Sequence, residues 1–291
     1  MANQQFRLGV DGGGTACRAR LTDFQGKVLG EGESGPANLG LGIETALEAV
    51  LHSARMALGQ AGLPDSSLGA VHAGIGLAGA NVPALAEAFR RLPLPFRCAT
   101  VLSDAEVACL GAHLGHDGGI LILGTGSQGV LHREGRFATI GGWGFALSDD
   151  GSGAVLGRAA VRRSLLAHEG VAHATPFTRA VMDRLGNDPA AMVSWAAHAR
   201  PKEWATFARD VFDHATRGDD VALALVQSSA AEVERLLDRL VALGAARISL
   251  MGGIAEPTRP HLASRFAGML VTPLGDAMAG ALLLAQRSAR R

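Results

Sequence analysis

The sequence predicts an α/β protein built from two related halves. Short apolar runs alternate with segments of helical periodicity along most of the 291 residues, a pattern typical of α/β architecture. The order of elements begins again near residue 119, and a glycine-rich loop follows the first strand of each half, at residues 12–14 and 124–127. We therefore expect two similar domains, each with a mixed five-stranded sheet, and a ligand cleft between them.

Composition narrows the class of protein. The chain is 48% hydrophobic and 19% charged, which is enough apolar material for a substantial core. Lys+Arg and Asp+Glu both number 27, so no net charge favours nucleic acid or an anionic membrane. We expect a small-molecule partner. The short basic end of the chain, residues 287–291, is interpreted as a solvated tail.

Targeting and cysteine signals point to the cytoplasm. The first five residues lack the basic start and apolar stretch of a signal peptide. No apolar run reaches the ~18 residues of a membrane span. Cys17, Cys98 and Cys109 are odd in number and lack metal-type spacing, which favours a reducing compartment. A cytoplasmic protein without a membrane span is the expectation.

The first half is predicted as three strands, a helix and two further strand–helix pairs. Alternating apolar residues between turn residues indicate the strands, and apolar stripes indicate the helices. In chain order these are strands at 6–10, 16–23 and 27–33, a helix at 43–61, a strand at 71–77, a helix at 84–91, a strand at 98–102 and a helix at 105–114.

The second half repeats this order with helices inserted. The predicted elements are strands at 119–123, 128–132 and 136–140, a helix at 152–168, a mostly helical stretch at 175–243, a strand at 247–251, a helix at 261–267, a strand at 269–272 and a helix at 276–287. We expect domains at 1–115 and 116–275, hinged rather than freely linked, with the C-terminal helix 276–291 packing back on the first. The helical insertion is the expected contact of a homodimer.

The first glycine loop, residues 11–15, is the most informative segment. Glycines lack a Cβ atom, so the backbone can adopt positive φ and several N–H groups can converge on phosphate oxygens. Asp11, at the strand end, is well placed to hold a hydrated Mg²⁺ beside those phosphates. The spacing fits neither the P-loop nor the dinucleotide fingerprint, and a tight hairpin is the alternative for either loop alone. A second such loop at 124–127 favours a bound nucleotide polyphosphate.

Asp104 follows an apolar strand and begins a helix. A carboxylate there can cap the helix, because the first N–H groups of a helix have no partner within it. It can instead face a ligand and accept a proton from an attacking hydroxyl, the help that phosphoryl transfer needs from a base. Both interpretations stay open at this point.

Residues 141–153 are unusual in composition. Glycines bracket Trp143, and Asp149 and Asp150 stand just before a helix. One of these acids is expected to cap that helix. Trp143 is either a core residue or an apolar platform beside a sugar ring, whose hydroxyls carboxylates would reach. Asn38, in the loop before the first helix, fits a turn or a ligand contact equally well.

The segments 10–15, 124–127 and 251–254 resemble the phosphate-1, phosphate-2 and adenosine motifs of the sugar kinase, actin and Hsp70 superfamily. Within it the chain resembles the N-acetylglucosamine kinase and bacterial glucosamine kinase group of the BadF/BadG-type ATPases, over nearly its whole length. The specific stretches are 11–20, 34–42, 104–114, 124–129 and 141–153. The resemblance implies a duplicated actin-like (ribonuclease H-like) ATPase fold with the nucleotide in the cleft between two domains.

The resemblance also implies an activity and a set of site residues. The activity is transfer of the γ-phosphate of ATP, with Mg²⁺, to the 6-hydroxyl of N-acetylglucosamine or glucosamine, with Asp104 as catalytic base. The implied sugar contacts are Asn38, Trp143, Gly144 and Asp149. The implied nucleotide contacts are Asp11 (also the metal contact), Gly12, Gly13, Gly14, Thr15, Gly124, Thr125, Gly126, Ser127, Gly252 and Gly253. Gln128 and Asp150 depart from residues common in the group, so their roles stay open.

Two other functions fit such a fold. An activator ATPase of the benzoyl-CoA reductase or dehydratase type needs cysteines that hold an iron–sulfur cluster at a dimer interface, and none of the three cysteines lies in a short Cys-rich loop. A non-catalytic sugar sensor typically adds a basic DNA-binding arm, whereas the first strand here begins by residue 6. We therefore expect the kinase, with glucosamine against N-acetylglucosamine left open.

Overall fold

The computed structural model describes residues 5–289. The first four residues and the last two arginines lie outside that range, and with them two of the five residues of the predicted tail and most of the segment interpreted as lacking a signal peptide. The described chain divides into two compact units. Unit 1 comprises the described residues up to Gly118, His132–Phe137 and the described residues from Thr272 onward; unit 2 comprises Gly119–Leu131 and Ala138–Val271.

The first part of the chain supplies five strands and three helices. They are β1 (Phe6–Gly12), β2 (Cys17–Thr22), β3 (Val28–Ser34), α1 (Ile43–Gln60), β4 (Val71–Leu77), α2 (Pro83–Arg90), β5 (Cys98–Ser103) and α3 (Asp104–Ala112). The remainder supplies β6 (Gly118–Leu123), β7 (Ser127–Arg133), β8 (Arg136–Gly141), α4 (Gly153–His168), α5 (Pro176–Arg184), α6 (Pro189–His198), α7 (Pro201–Ala205), α8 (Phe207–Thr216), α9 (Asp220–Ala242), β9 (Ile248–Met251), α10 (Ala255–Thr258) and α11 (Ala277–Ser288).

The sheet of unit 1 is mixed, with the order β3-β2-β1-β4-β5. β1, β4 and β5 run parallel, while β2 is antiparallel to both β1 and β3. Every residue of β4 is buried, as expected for a strand covered on both faces. The predicted α/β class with a mixed five-stranded sheet is confirmed for this unit.

Glycines let the helices of unit 1 approach its sheet at backbone distance. A Cβ on Gly74 in β4 would overlap the Ala281 carbonyl oxygen of α11, and one on Gly30 in β3 would overlap the Ala57 carbonyl oxygen of α1. The same holds between helices, where a Cβ on Gly111 of α3 would overlap the Asp276 carbonyl oxygen that precedes α11. The C-terminal helix is therefore fixed on the strands that carry the first glycine loop.

The sheet of unit 2 has the order β8-β7-β6-β9, with β6 and β9 parallel. The sequence predicts a fifth strand at 269–272, and this is wrong: in that segment Leu270 makes a single bridge to Ile248. Pairing stops there because Pro273 has no N–H to donate. The described part of the chain therefore has four strands in this sheet rather than five.

The helix predicted at 261–267 is also wrong. The structure has two short 3₁₀ turns there, Arg259–His261 and Ser264–Phe266. Tertiary contacts override helical propensity in this segment, since the Glu234 carboxylate of α9 accepts a hydrogen bond from the backbone N–H of Ala263. Arg265 also forms an ion pair with Glu234.

The helix predicted at 152–168 is α4, and the predicted helical insertion at 175–243 forms α5–α9 of unit 2. Its apolar core includes Trp204, which is buried and packs edge-on against Trp195 with ring centroids 4.5 Å apart. Among the described residues, no helix combines the length and the apolar character that crossing a bilayer requires.

Asp219 joins the beginnings of two helices in this insertion. Its carboxylate accepts hydrogen bonds from Ala222 N at the start of α9, from Phe177 N at the start of α5 and from Thr175 Oγ1, each at 3.1 Å. Partial burial raises the pKa of Asp219, but these hydrogen bonds outweigh it and hold the pKa below its usual value.

We predict that Asp219→Ala lowers the free energy of unfolding by about 1–2 kcal/mol at pH 7, because one change removes caps from two helices. The folded state has the lower pKa, so this contribution is complete above the unfolded-state pKa of about 3.9 and disappears as the pH falls through the folded-state value. Urea unfolding as a function of pH measures it. Asp188→Ala, which removes a single cap bond from α6, is the matched control, and an equal loss in both variants would contradict the prediction.

Candidate functional site

The parallel strands of unit 1 end at one edge of the sheet and bring two carboxylates together. Asp11 in β1 is paired with Gly76 in β4, and Ser103 at the end of β5 is paired with Leu77. Asp104 therefore follows one position beyond the edge. A Cβ on Gly76 would lie 3.0 Å from Val107 Cβ and 3.4 Å from the Cα atom of Asp104, so the absence of a side chain on β4 lets the start of α3 pack close to the strand.

The first glycine loop is tightly held where it leaves β1. A Cβ on Gly12 would lie 2.7 Å from Leu77 Cδ2 and 2.9 Å from the Gly76 carbonyl oxygen, so only glycine fits at this position. Gly13 N donates to the Ala16 carbonyl oxygen at 3.0 Å. Gly14 and Thr15, at the tip, are exposed. The loop thus has a fixed base and an accessible tip, as an anion-binding loop requires.

Asp11 forms an ion pair with Arg18. Arg18 Nη2 lies 2.5 Å from Asp11 Oδ2, with side-chain exposures of 59% for Arg18 and 13% for Asp11. Among residues 5–289 the structure brings together no group of three or more His, Cys, Asp or Glu side chains able to hold a metal ion by themselves. Any metal at Asp11 would therefore need ligands from water or substrate.

Asp104 is not the cap of its helix. Ser103 is the N-cap of α3, and Ser103 and Glu106 form a reciprocal capping box, with Glu106 N donating to Ser103 Oγ at 3.1 Å and Ser103 N donating to Glu106 Oε2 at 2.8 Å. The capping interpretation of Asp104 is thus wrong. Desolvation raises the pKa of the Asp104 carboxyl against a hydrogen bond from Ala105 N, and the nearby charge of Asp11 raises it further. A partly desolvated carboxylate that is not the N-cap of its helix is suited to accept a proton.

Asn38 has the turn role that the sequence left open. Its Oδ1 accepts from Gly40 N at 2.8 Å and caps the 3₁₀ turn Leu39–Leu41, which confirms the turn interpretation. Its Nδ2 has no hydrogen-bond partner among the described residues, and a Cβ on Gly14 would lie 3.9 Å from it. One end of the amide therefore fixes the loop, while the other remains available beside the first glycine loop.

The second glycine loop, Gly124–Ser127, is locked to the start of α4. Gly153 N donates to the Gly124 carbonyl oxygen at 2.8 Å, and Ala154 N donates to the Thr125 carbonyl oxygen at 3.1 Å. Ser127 is buried and its hydroxyl donates to the Asp150 carbonyl oxygen at 2.7 Å. Thr125 is exposed. The Ser127 hydroxyl thus holds the loop, whereas the Thr125 side chain faces outward.

Asp149 braces the same loop from the other side. It is 7% exposed, and its Oδ1 accepts from Ser127 N at 3.4 Å. Desolvation is the main cause of its raised pKa. Its φ of 69° is in the left-handed region that non-glycine residues rarely adopt. The prediction that Asp149 or Asp150 caps α4 is wrong, because Ser152 is the N-cap and accepts from Val155 N at 3.3 Å.

Trp143 is 58% exposed and is not a core residue. Its glycine neighbours at 141, 142 and 144 all have positive φ, and its backbone N–H donates to Ser148 Oγ at 3.2 Å. Gln128 lies beneath this loop, since a Cβ on Gly142 would lie 2.7 Å from Gln128 Cδ. The Gln128 Nε2 atom is buried without a hydrogen-bond partner in the described structure.

A cavity of about 790 Å³ opens within unit 2 beside the second glycine loop. Because β6 and β9 are parallel, with Ile122 paired with Met251, the loops that follow them meet at this cavity. A Cβ on Gly252 would overlap the Leu123 carbonyl oxygen, and the φ of Gly252 is 99°. The volume is in the range of small-molecule sites, and Gly124, Thr125 and Gly253 line it.

Sequence patterns do not identify the residues that form one wall of this cavity. It is formed by α7, α8 and the end of α5, through Ala205, Thr206, Ala208, Arg209, Asp210, Phe212, Asp213 and Arg184. These residues belong to the helical insertion, where amphipathic periodicity separates buried from exposed faces but does not tell which exposed face borders a cavity. The small residues of α4 are the available signal, since a Cβ on Gly153 would lie 3.4 Å from Ala205 Cβ.

We predict that Asp104→Asn leaves stability at neutral pH unchanged or raises it. The folded-state pKa of Asp104 is above the unfolded value, so the ionised carboxylate costs stability as the pH rises through this window, and asparagine removes that cost. Urea unfolding at pH 5 and pH 8 is the measurement. A loss above about 1 kcal/mol at pH 8 would mean that the carboxylate makes a net favourable contact.

The chain is similar to known kinases over nearly its whole length. It is 41% identical to the glucosamine kinase GspK of Vibrio cholerae serotype O1 over 280 residues, covering 96% of this chain and 95% of that protein. It is 28% identical to an N-acetylmuramic acid/N-acetylglucosamine kinase of Clostridium acetobutylicum, covering 79% and 77%. A crystal structure from Chromobacterium violaceum, assigned as an N-acetylglucosamine kinase, has a TM-score of 0.87 at 36% identity and covers 98% of this chain and 100% of its own.

The model of one family matches residues 8–285, which include both glycine loops, Asp104 and the loop after β9. This chain therefore belongs to the BadF/BadG/BcrA/BcrD ATPase family.

Proposed function

We propose that this protein is an ATP-dependent amino-sugar kinase that transfers the γ-phosphate to the 6-hydroxyl of glucosamine or N-acetylglucosamine. The observation that carries the proposal is Asp104, a partly desolvated carboxylate at the strand edge that its own helix does not use as a cap. The similarity to the glucosamine kinase over 96% of the chain supports the amino-sugar class.

In this proposal Asp104 accepts the proton of the sugar 6-hydroxyl as the oxygen attacks the γ-phosphorus. Phosphoryl transfer needs positioning more than a strong base, and a raised pKa makes a carboxylate a better proton acceptor. Asn38 would contact the sugar through its free Nδ2, and the exposed Trp143 ring with Gly144 would cover an apolar sugar face. Asp149 is proposed as a sugar contact by resemblance, and its bond to Ser127 N gives it a second role in bracing the phosphate loop.

ATP is the proposed nucleotide. Residues 12–15 and 124–127 would contact its phosphates, and Gly252 and Gly253 would lie against the adenosine in the cavity of unit 2. The Ser127 hydroxyl is committed to the Asp150 carbonyl oxygen, so its part in this proposal is to shape the loop.

Mg²⁺ is proposed as the metal, held by Asp11. Mg²⁺ usually binds one or two carboxylates, keeps several waters and takes substrate phosphates as further ligands. A single carboxylate beside a glycine loop fits that donor set, and Arg18 contacts Asp11 through one of its two oxygens. When bound, the metal would neutralise phosphate charge.

Two further proposals concern the setting of the enzyme. Cys17, Cys98 and Cys109 are free thiols, which supports a reducing compartment such as the cytoplasm. A homodimer through the helical insertion is supported by exposed apolar residues on it, such as Val193 of α6. Light scattering of the purified protein measures the second point.

The kinase is favoured over an activator ATPase by the setting of the cysteines. Cys17 and Cys109 are buried, and desolvation raises the pKa of the Cys17 thiol. A cluster ligand must be a thiolate at an accessible interface. These buried thiols do not offer that chemistry.

The test of the function is ADP release with ATP and Mg²⁺ against glucosamine, N-acetylglucosamine, N-acetylmannosamine, glucose and no sugar. We predict turnover with one amino sugar at least tenfold above every other condition. The two amino sugars differ at position 2, and a sugar pocket that is complementary to an amine is not complementary to an acetamide. ADP release at one slow rate, with or without any sugar, would overturn the kinase and favour the activator ATPase.

We predict that Asp104→Asn lowers kcat at least 100-fold while the dissociation constants of ATP and sugar change less than about threefold. General-base help is typically worth 10²–10⁴ in rate, and asparagine retains the shape of the side chain. Steady-state kinetics and calorimetric binding measure the two effects. Glu106→Gln, a change in the capping box two residues away, is the control for the local fold, and near-normal turnover of Asp104→Asn would remove Asp104 from the role.

A further inference from the structure

On α8, the cavity wall carries two charged side chains that form no hydrogen bond or ion pair with the described residues. Arg209 and Asp213 both line the cavity and are exposed. Within the described range neither side chain has a hydrogen bond or an ion pair. An unpaired cation and an unpaired anion, both facing one cavity, are the groups that a polar ligand would contact there.

Their neighbours on the same wall are, by contrast, already satisfied. Arg184 Nη1 lies 2.5 Å from Asp210 Oδ2, and Arg184 Nη2 donates to Thr206 Oγ1 at 2.6 Å. The Arg184 guanidinium also stacks over the Phe207 ring, with Cζ 4.2 Å from the centroid. This internal network holds the wall in place, so Arg209 and Asp213 are presented from a fixed surface.

Close packing at Gly153 places α8 beside the second glycine loop. Gly153, which donates to the loop at Gly124, packs against α7 and α8, since its Cβ would lie 3.4 Å from Ala205 Cβ and 3.7 Å from Ala208 Cβ. Arg209 follows Ala208 directly and is therefore near the loop. Asp213 lies one turn further along the helix, about 6 Å away at 1.5 Å per residue.

We propose that α8 binds the nucleotide. Arg209 pairs with a phosphate, and Asp213 accepts hydrogen bonds from the ribose hydroxyls. This inference rests on the proposed function, because it takes the occupant of the cavity to be an adenine ribonucleotide. A guanidinium matches phosphate oxygens, and a carboxylate is an acceptor that can take both protons of a vicinal diol. The order along α8, cation near the phosphate loop and anion beyond it, matches the order of phosphate and ribose in the nucleotide.

The test is equilibrium binding of ADP, 2′,3′-dideoxy-ADP and adenosine to the intact protein and its variants by calorimetry. We expect the unchanged protein to bind ADP about tenfold or more tightly than dideoxy-ADP, and Asp213→Ala to bind the two equally. Arg209→Ala should weaken ADP by about tenfold or more and leave adenosine within twofold, with Arg209→Lys restoring part of the loss.

Two exposed residues that do not line the cavity serve as matched controls, Lys202→Ala for the cation and Glu169→Gln for the anion. Neither should change any of the three affinities. An Asp213→Ala variant that keeps the full preference for ADP, or an Arg209→Ala variant that weakens adenosine as much as ADP, would overturn the proposal. Absence of ADP binding by the unchanged protein would instead overturn the proposed function, and ADP binding without sugar-dependent turnover would still allow α8 to be tested.

Discussion

The parallel pairing of β1, β4 and β5 is the constraint on which the candidate acceptor site depends. Parallel strands present their carboxyl ends at one edge, so residues distant in sequence, Asp11 and Asp104, come to lie near Gly76 without any contact between their side chains. The register also explains why the residue between them must be small. A side chain on Gly76 would project at Val107 and at the backbone of Asp104, which would push the start of α3 away from β4.

Close backbone approach at glycines is the second constraint, and it links each loop to a helix. In unit 1, Gly74 and Gly111 let α11 contact the sheet and α3. In unit 2, Gly153 and Gly157 let α4 contact the helices that form the cavity wall, since a Cβ on Gly157 would overlap the Trp204 carbonyl oxygen. These glycines have helical or extended backbone, so their value lies in the missing Cβ rather than in unusual φ angles. Larger residues there would push apart elements whose spacing determines the shape of the cavity.

Sequence patterns predict the local parts of this molecule well and the tertiary parts poorly. The strands, both glycine loops and Asp104 are visible because each depends on a few neighbouring residues. The cap before α4 is assigned to the wrong residue, Asp149 or Asp150, and the cap of α3 is left open at Asp104. A serine two residues after Asp150 and another one residue before Asp104 satisfy these helix ends instead. The short edge segment near Leu270 and the wall on α8 depend on which surfaces meet. The apolar periodicity within a segment does not tell which surface of another element it will contact.

The serine caps of α3 and α4 affect the energetics of the two neighbouring acids, Asp104 and Asp149. A carboxylate at a helix start is normally stabilised by the free N–H groups and by the helix dipole, yet Ser103 and Ser152 take the capping positions and leave Asp104 and Asp149 with raised pKa values caused mainly by desolvation. Each carboxylate therefore costs stability that a simple cap would not. Asp149 recovers part of that cost through its bond to Ser127 N, and it does so in a left-handed backbone conformation. Asp104 accepts from the adjacent Ala105 N. Serine caps beside two such acids therefore leave one carboxylate to shape a loop and relieve the other of the capping role.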